Sequence, residues 1–158
     1  MKIIITLIFT CLLCVAHAQE LPNSYINLGL GIGMNYGGVG TKTVLGYRNS
    51  GLLVGLGFMG DGIVGYEIGG QIAIKSLYFN LGYGVSSIYQ VNDDPVKAVE
   101  CGNFMIGYMV DLDKEKSAFI DLAIGHTIGA PTIQLGMFEE DQSGFTFSVG
   151  IGMRFPNK

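Results

Sequence analysis

Charge is scarce in this sequence. Asp, Glu, Lys and Arg make up 14% of the 158 residues, where an ordinary soluble domain carries roughly 25%. A domain of this size needs more charge than that to cover itself comfortably in water. Cysteine is also short: Cys11 and Cys14 sit in an N-terminal apolar run, and only Cys101 lies beyond it. No intrachain disulfide is therefore expected in the body of the chain. Basic clusters are missing, and 13 acidic residues face 9 basic ones, which argues against a nucleic-acid surface. After residue 18 no apolar run reaches the ~18 residues of a membrane helix. Helix of any kind is disfavoured, because all 25 glycines follow residue 18 and each costs about 1 kcal/mol in a helix.

The first eighteen residues, "MKIIITLIFTCLLCVAHA", read differently from the rest. They have one positive charge at Lys2, an apolar run from Ile3 to Ala16, and Ala16-His17-Ala18 before Gln19. This is the pattern of a cleaved secretory signal, too short to span a bilayer. A lipoprotein signal does not fit, since Leu13 precedes Cys14 where a small residue is needed. The mature chain is expected to run from 19 to 158 as one domain. Without Lys2 the nine basic residues become eight against 13 acidic ones, a net charge of −5.

What is present is period-2 alternation, nearly everywhere after Ser24. "YINLGLGIGM" places Ile26, Leu28, Leu30, Ile32 and Met34 opposite Asn27, Gly29, Gly31 and Gly33. The same alternation runs through 39–47, 52–58, 64–75, 77–86, 98–110 and 118–128. It closes with Phe145, Phe147, Val149, Ile151, Met153 and Phe155 against Thr146, Ser148, Gly150, Gly152 and Arg154. Eight strands are predicted. One face of each is broadly apolar, and the other is mostly glycine with a few polar residues. Such a second face makes a poor water-exposed surface and a good lining for a narrow barrel. The predicted fold is all-β: an eight-stranded antiparallel up-and-down transmembrane β-barrel, with its apolar face toward lipid and every backbone group paired.

The connections and aromatics fit that reading. "RNSG" (48–51), "KS" (75–76) and "DLDKEK" (111–116) are expected as short turns at one end, the periplasmic one. At the other end "NYGG" (35–38) and "GDG" (60–62) are expected as short loops, with longer ones at 90–97 and 129–143. Tyr47, Phe79, Tyr108 and Phe155 fall near the first end, and Phe58, Tyr66, Tyr89 and Phe145 near the second. Two aromatic girdles are the expected arrangement for rings that straddle lipid and water.

With these residues in view, the chain resembles the small eight-stranded outer-membrane barrels of Gram-negative bacteria, of the OmpX type and the OmpA transmembrane domain. The resemblance spans residues 25–155 and is one of pattern. Its most specific part is "FTFSVGIGMRF" (145–155), which is similar to the C-terminal strand read by the outer-membrane assembly machinery. Pro156, Asn157 and Lys158 extend past the terminal aromatic where such chains usually stop. The resemblance implies a monomer in the outer membrane, in contact with its lipid and with the assembly machinery during biogenesis. It also implies a structural or surface-interaction role without catalysis. The competing expectation is a soluble periplasmic or secreted lipocalin-like barrel that binds a hydrophobic ligand, with the apolar parity facing inward.

Constellations that suggest chemistry are weak. "GLGFMG" (Gly55, Gly57, Gly60) matches a dinucleotide-binding glycine spacing, but those glycines continue the period-2 series and no amphipathic helix follows. His126 is the one histidine after the signal and is followed by Thr127, so a serine nucleophile two residues on is absent. A hydrolytic site would have to recruit Ser143 or Glu139 from a distance, and an interfacial histidine is the expected role. "NDD" (92–94) and "EED" (139–141) lack the glycine-punctuated spacing of a calcium loop. No catalytic, cofactor or metal residues are assigned. Lys42, Glu67, Gln71, Asn103, Asp121 and Arg154 share the inward parity and are expected to pair within the lumen, with Lys42 and Glu67 in one cluster.

Overall fold

The computed structural model describes residues 23–90, 96–130, 132–135, 138–141 and 144–157. The expected signal, 1–18, lies outside them. Among the described residues ten strands form: β1 (Ser24–Gly33), β2 (Gly38–Tyr47), β3 (Ser50–Gly60), β4 (Ile63–Ile74), β5 (Leu77–Tyr89), β6 (Lys97–Asp111), β7 (Ala118–Ile128), β8 (Thr132–Leu135), β9 (Phe138–Asp141) and β10 (Phe145–Asn157). Eight of them close a barrel in the order β1-β10-β7-β6-β5-β4-β3-β2, and each neighbouring pair is antiparallel. The barrel is all-β, up-and-down and eight-stranded, as the alternation predicted. β8 and β9 form a separate hairpin within the stretch expected as a long loop, pairing Thr132 with Asp141 and Leu135 with Phe138.

Closure is continuous because the last strand lies between the first and the seventh. β10 pairs with β1 from Ser24↔Asn157 to Gly33↔Ser148, and with β7 from Phe145↔His126 to Met153↔Ala118. The register keeps the two parities apart around the ring. Ile26, Leu28, Leu30 and Ile32 of β1 face outward beside Leu45 and Val39 of β2 and Phe155, Met153, Ile151 and Val149 of β10. The turns carry suitable chemistry. Asp61 and Gly62, at φ 48° and 76°, link β3 to β4 in the positive-φ conformation that matches the twist of a tight hairpin.

Three assignments of facing are corrected, the third being Tyr89, which stands opposite Lys97 past the β5 bulge and so on the inward parity of Val99. Met34 does not continue the outward row of β1: it is buried at the start of a 3-10 turn, Met34–Tyr36. Val85 does not face outward on β5, because the register shifts between Val85 and Ser87 and the bulge turns Val85 into a buried position. An extra residue on one strand re-aims its side chains, and alternation alone does not reveal where that residue falls.

The glycine face has a steric purpose. Each large ring pointing into the lumen lies against a glycine of a neighbouring strand. Tyr25 covers Gly46, Tyr78 covers Gly107, and Phe119 covers Gly152. A Cβ at any of the three would run into the ring. Tyr78 and Phe119 join Met34, Ala73, Met105, Met109 and Ala123 in one apolar cluster, and Tyr25, Val44 and Leu53 form a second. The interior is therefore packed ring against bare backbone, which an eight-strand lumen has just enough width to permit.

Candidate functional site

The lumen is where this fold gathers its polar side chains. Its centre is Asp121 on β7, fully buried. Lys42 on β2 places Nζ 2.7 Å from Asp121 Oδ2. Tyr36 donates its hydroxyl to the same oxygen at 2.8 Å, and Tyr78 donates to Oδ1 at 2.5 Å. Lys42 also donates to the Tyr78 hydroxyl at 3.2 Å, with its ammonium 4.4 Å from the Tyr78 ring centre. A carboxylate with three donors, one of them cationic, is stable away from water only because each of its charges is answered.

Toward the end that holds Ser24 and Asn157, Arg154 makes a second, looser pair. Its Nη1 lies 3.5 Å from Asp111 Oδ1, its Nε donates to Asn27 Oδ1 at 3.3 Å, and its guanidinium lies 5.7 Å from the Phe119 ring centre. Glu67 bonds directly to neither pair but lies within electrostatic reach of Lys42. Asn103 donates Nδ2 to both of its carboxylate oxygens at 2.8 Å. The expected Lys42–Glu67 cluster therefore exists as a charge interaction and not as a direct pair: Lys42 bonds to Asp121, and Glu67 to the Asn103 amide. Gln71 is buried with neither end of its carboxamide bonded.

The connection between β1 and β2 is the element that the sequence did not disclose. Read as a short loop at 35–38, it folds into the barrel, and Met34, Asn35, Tyr36 and Gly37 are all buried. The Asn35 backbone N–H donates to Ser148 Oγ at 2.9 Å, and Asn80 Nδ2 donates to Asn35 Oδ1 at 3.0 Å. Tyr36 reaches between Gly31 and Gly150 to meet Asp121. The one available signal was composition: Gly33, Gly37 and Gly38 bracket the turn, and glycine on both sides of a tight connection permits an unusual path. With the turn in place, the space bounded by Asn27, Tyr36, Lys42, Met109 and Phe119 amounts to 10 Å³, about the size that holds one water.

Comparison with protein-family models, with curated proteins and with solved structures found no match for this chain.

The remaining candidates do not converge. His126 faces outward on β7 with its ring 5.5 Å from that of Phe145 and its Nδ1 2.6 Å from the Thr127 carbonyl oxygen. Ser143 and residues 92–94 lie outside the described residues, and for Glu139 and its neighbours only the backbone of β9 is described. Among the described residues no three His, Cys, Asp or Glu side chains gather as a metal set. Gly55 and Gly57 of "GLGFMG" line the lumen from β3, and another strand follows them. One outward polar group went unnoticed in the sequence: Glu100 on β6 accepts from the Tyr83 hydroxyl at 3.3 Å on the outer wall. Both sit in an alternating series whose parity is otherwise apolar.

Proposed function

We propose that this chain is a small outer-membrane protein whose eight strands cross the bilayer, with a structural or surface-interaction role and no catalysis. The observation that carries this reading is the sidedness of the barrel. Leucine, isoleucine, valine and phenylalanine side chains stand on its outer wall, among them Leu30 at 63% exposed and Ile124 at 70%. The charged residues Lys42, Glu67, Asp121 and Arg154 are enclosed. In water that distribution is inverted; in a bilayer it is the arrangement that leaves apolar side chains in hydrocarbon and no sheet edge unpaired. Tyr47 and Phe155 toward one rim, and Phe58 and Phe145 toward the other, are exposed on the same outer wall, as interfacial anchors would be.

The surface-interaction part of the reading is supported by the β8–β9 hairpin, which pairs with itself and not with a barrel strand. On the same reading, β10 is the strand presented to the assembly machinery, since it must be placed last to close the ring. The test is fractionation of expressing cells, followed by gel migration with and without boiling. Protein that partitions with the membrane and migrates differently before heating supports the proposal. Protein recovered in the aqueous fraction would favour the lipocalin-like alternative.

A further inference from the structure

We infer that the loop-end rim between β10 and β3 binds an uncharged single-chain amphiphile, a monoacylglycerol, taken laterally from the bilayer; this rests on the membrane-spanning reading above. The rim is low at that place. The ladder of β1 with β10 ends at Gly33↔Ser148, and that of β2 with β3 at Val39↔Phe58. β10 reaches three residues further, Phe145 to Phe147, paired there with β7 alone. β3 likewise runs on through Met59 and Gly60 toward its turn with β4. Because the connection 34–37 folds down into the lumen, neither β1 nor β2 rises between those two ends. The gap is three strand spacings of about 4.8 Å wide, ample for one hydrocarbon chain.

A cavity of 570 Å³ occupies the gap, a size common among small-molecule sites. Its lining comes from both faces of the wall. Phe58, Phe145 and Phe147 belong to outward rows, whereas Met34, Met59 and Thr146 stand on the lumen side. A cavity lined from both parities crosses the wall at the rim and opens onto the lipid face. Gly33 and Gly38, paired at its base, hold φ at 116° and 98°. Glycine adopts those angles without strain and adds no side chain to fill the space.

The lining then selects the ligand. Its outer end is aromatic, and Phe145 is 93% exposed, an apolar surface of the kind that marks a binding groove. Met34 and Met59 on the lumen side adapt their shape to an unbranched chain. Polar groups gather at the inner end: the hydroxyls of Ser86 and Thr146, and the β10 backbone at Phe145, which has no strand neighbour on the β1 side. Among the described residues no charged side chain lines the cavity. A carboxylate or phosphate head would find no counter-charge there, while a hydroxyl or ester head finds donors and acceptors. The head sits on the lumen side, and the tail leaves between the three phenylalanine rings into hydrocarbon.

The chain has no tryptophan, so Phe145→Trp supplies a lone fluorescent reporter at the rim. Leu81→Trp, on the exposed face of β5, supplies a second on plain outer wall. Each full-length chain is reconstituted into phosphatidylcholine vesicles, and insertion is scored first by flotation and heat-modifiable migration. Failure of the wild type at that step overturns the membrane reading and this inference with it. Quenching is then read with a low mole fraction of dibrominated monoacylglycerol and, separately, of phosphatidylcholine brominated at the same chain positions, which corrects for reporter depth. The ratio of the two is expected to be several-fold higher for Phe145→Trp than for Leu81→Trp, and to saturate with mole fraction. Adding Thr146→Phe, which crowds the cavity, should bring it down to the Leu81→Trp value. Equal ratios at the two reporters overturn the site, and so does an unchanged ratio in an inserted Thr146→Phe chain. Should that variant not insert, the two reporters decide alone. Stronger quenching of the rim reporter by dibrominated oleate than by the monoacylglycerol overturns the uncharged head, and preference for the brominated phosphatidylcholine overturns the single-chain ligand.

Discussion

Lys42 Nζ and Asp121 Oδ2 lie 2.7 Å apart in the middle of the barrel, joined across the lumen from β2 to β7 with both side chains out of contact with solvent. Neither could be there alone. Asp121→Asn should destabilise by about 3–5 kcal/mol, because it leaves a buried ammonium without its counter-charge. Lys42→Met combined with Asp121→Asn should recover most of that loss. The check is a double-mutant cycle by urea titration in lipid vesicles. Additive losses would mean that each charge is separately hydrated and that the lumen is wet.

The outer wall gives a depth-dependent prediction. Leu30 and Ile72 are 63% and 58% exposed on strands β1 and β4. Leu30→Arg and Ile72→Arg should each cost about 2–4 kcal/mol if they face the bilayer midplane. Equal folding of these variants and wild type in lipid would refute the lipid-facing assignment.

Gly31→Ser reverses an expectation. As a small polar change on the lumen face it reads as mild from sequence. In the structure a Cβ at Gly31 would meet the Val149 carbonyl, Gly150 Cα and the Tyr36 ring. Overpacking of that kind costs at least about 1–3 kcal/mol. Gly70 on β4 is the control, since it is exposed with nothing near its missing Cβ. Gly70→Ala should be neutral or stabilising by up to about 1 kcal/mol. Thermal or urea midpoints of the two variants should therefore move in opposite directions.

Truncation after Gly144 removes β10 and with it both of its ladders, from Ser24↔Asn157 and from Phe145↔His126. The open edges of β1 and β7 would then need partners that hydrocarbon does not supply. No heat-modifiable protein should accumulate. Phe155→Ala should only slow assembly. Deleting Pro156 to Lys158 reads as inconsequential from sequence, yet Pro156 and Asn157 stand opposite Tyr25 and Ser24. Quantitative immunoblots of the membrane fraction should show a modest reduction, not full yield.

The barrel was legible because its cause is local. Strand facing has a period of two residues, so an apolar row and a glycine row are written directly into the order of residues. The eight barrel strands of the structure are the eight alternating segments. Where a single extra residue breaks the period, at the Val85–Ser87 bulge, the parity is reversed for the rest of β5, Tyr89 included, and is regained in β6. Seven of the eight expected aromatics were legible for the same reason, each lying near the end of an outward row; Tyr89 was not, because beyond the β5 bulge it stands opposite Lys97 on the parity of buried Val99.

What the lumen does with its polar residues was not legible, because pairing across a barrel depends on radius, tilt and register together. Lys42 and Asp121 are 79 residues apart, and inward parity made Glu67 as good a partner on paper. The turn at Met34–Tyr36 is the plainest case. A four-residue connection flanked by glycines is equally suited to pointing out or in, and local propensity does not distinguish them. The space left by Gly31, Gly150, Gly55 and Gly65 decides it, together with a carboxylate on β7 that a tyrosine hydroxyl reaches only from inside. Those residues come from four other strands and one earlier position of β1, and they meet only when the ring has closed. Sequence by itself determined the strands and, apart from Met34, Val85 and Tyr89, their faces; the closed ring decided which glycines make room, which charges meet, and that the first loop turns inward.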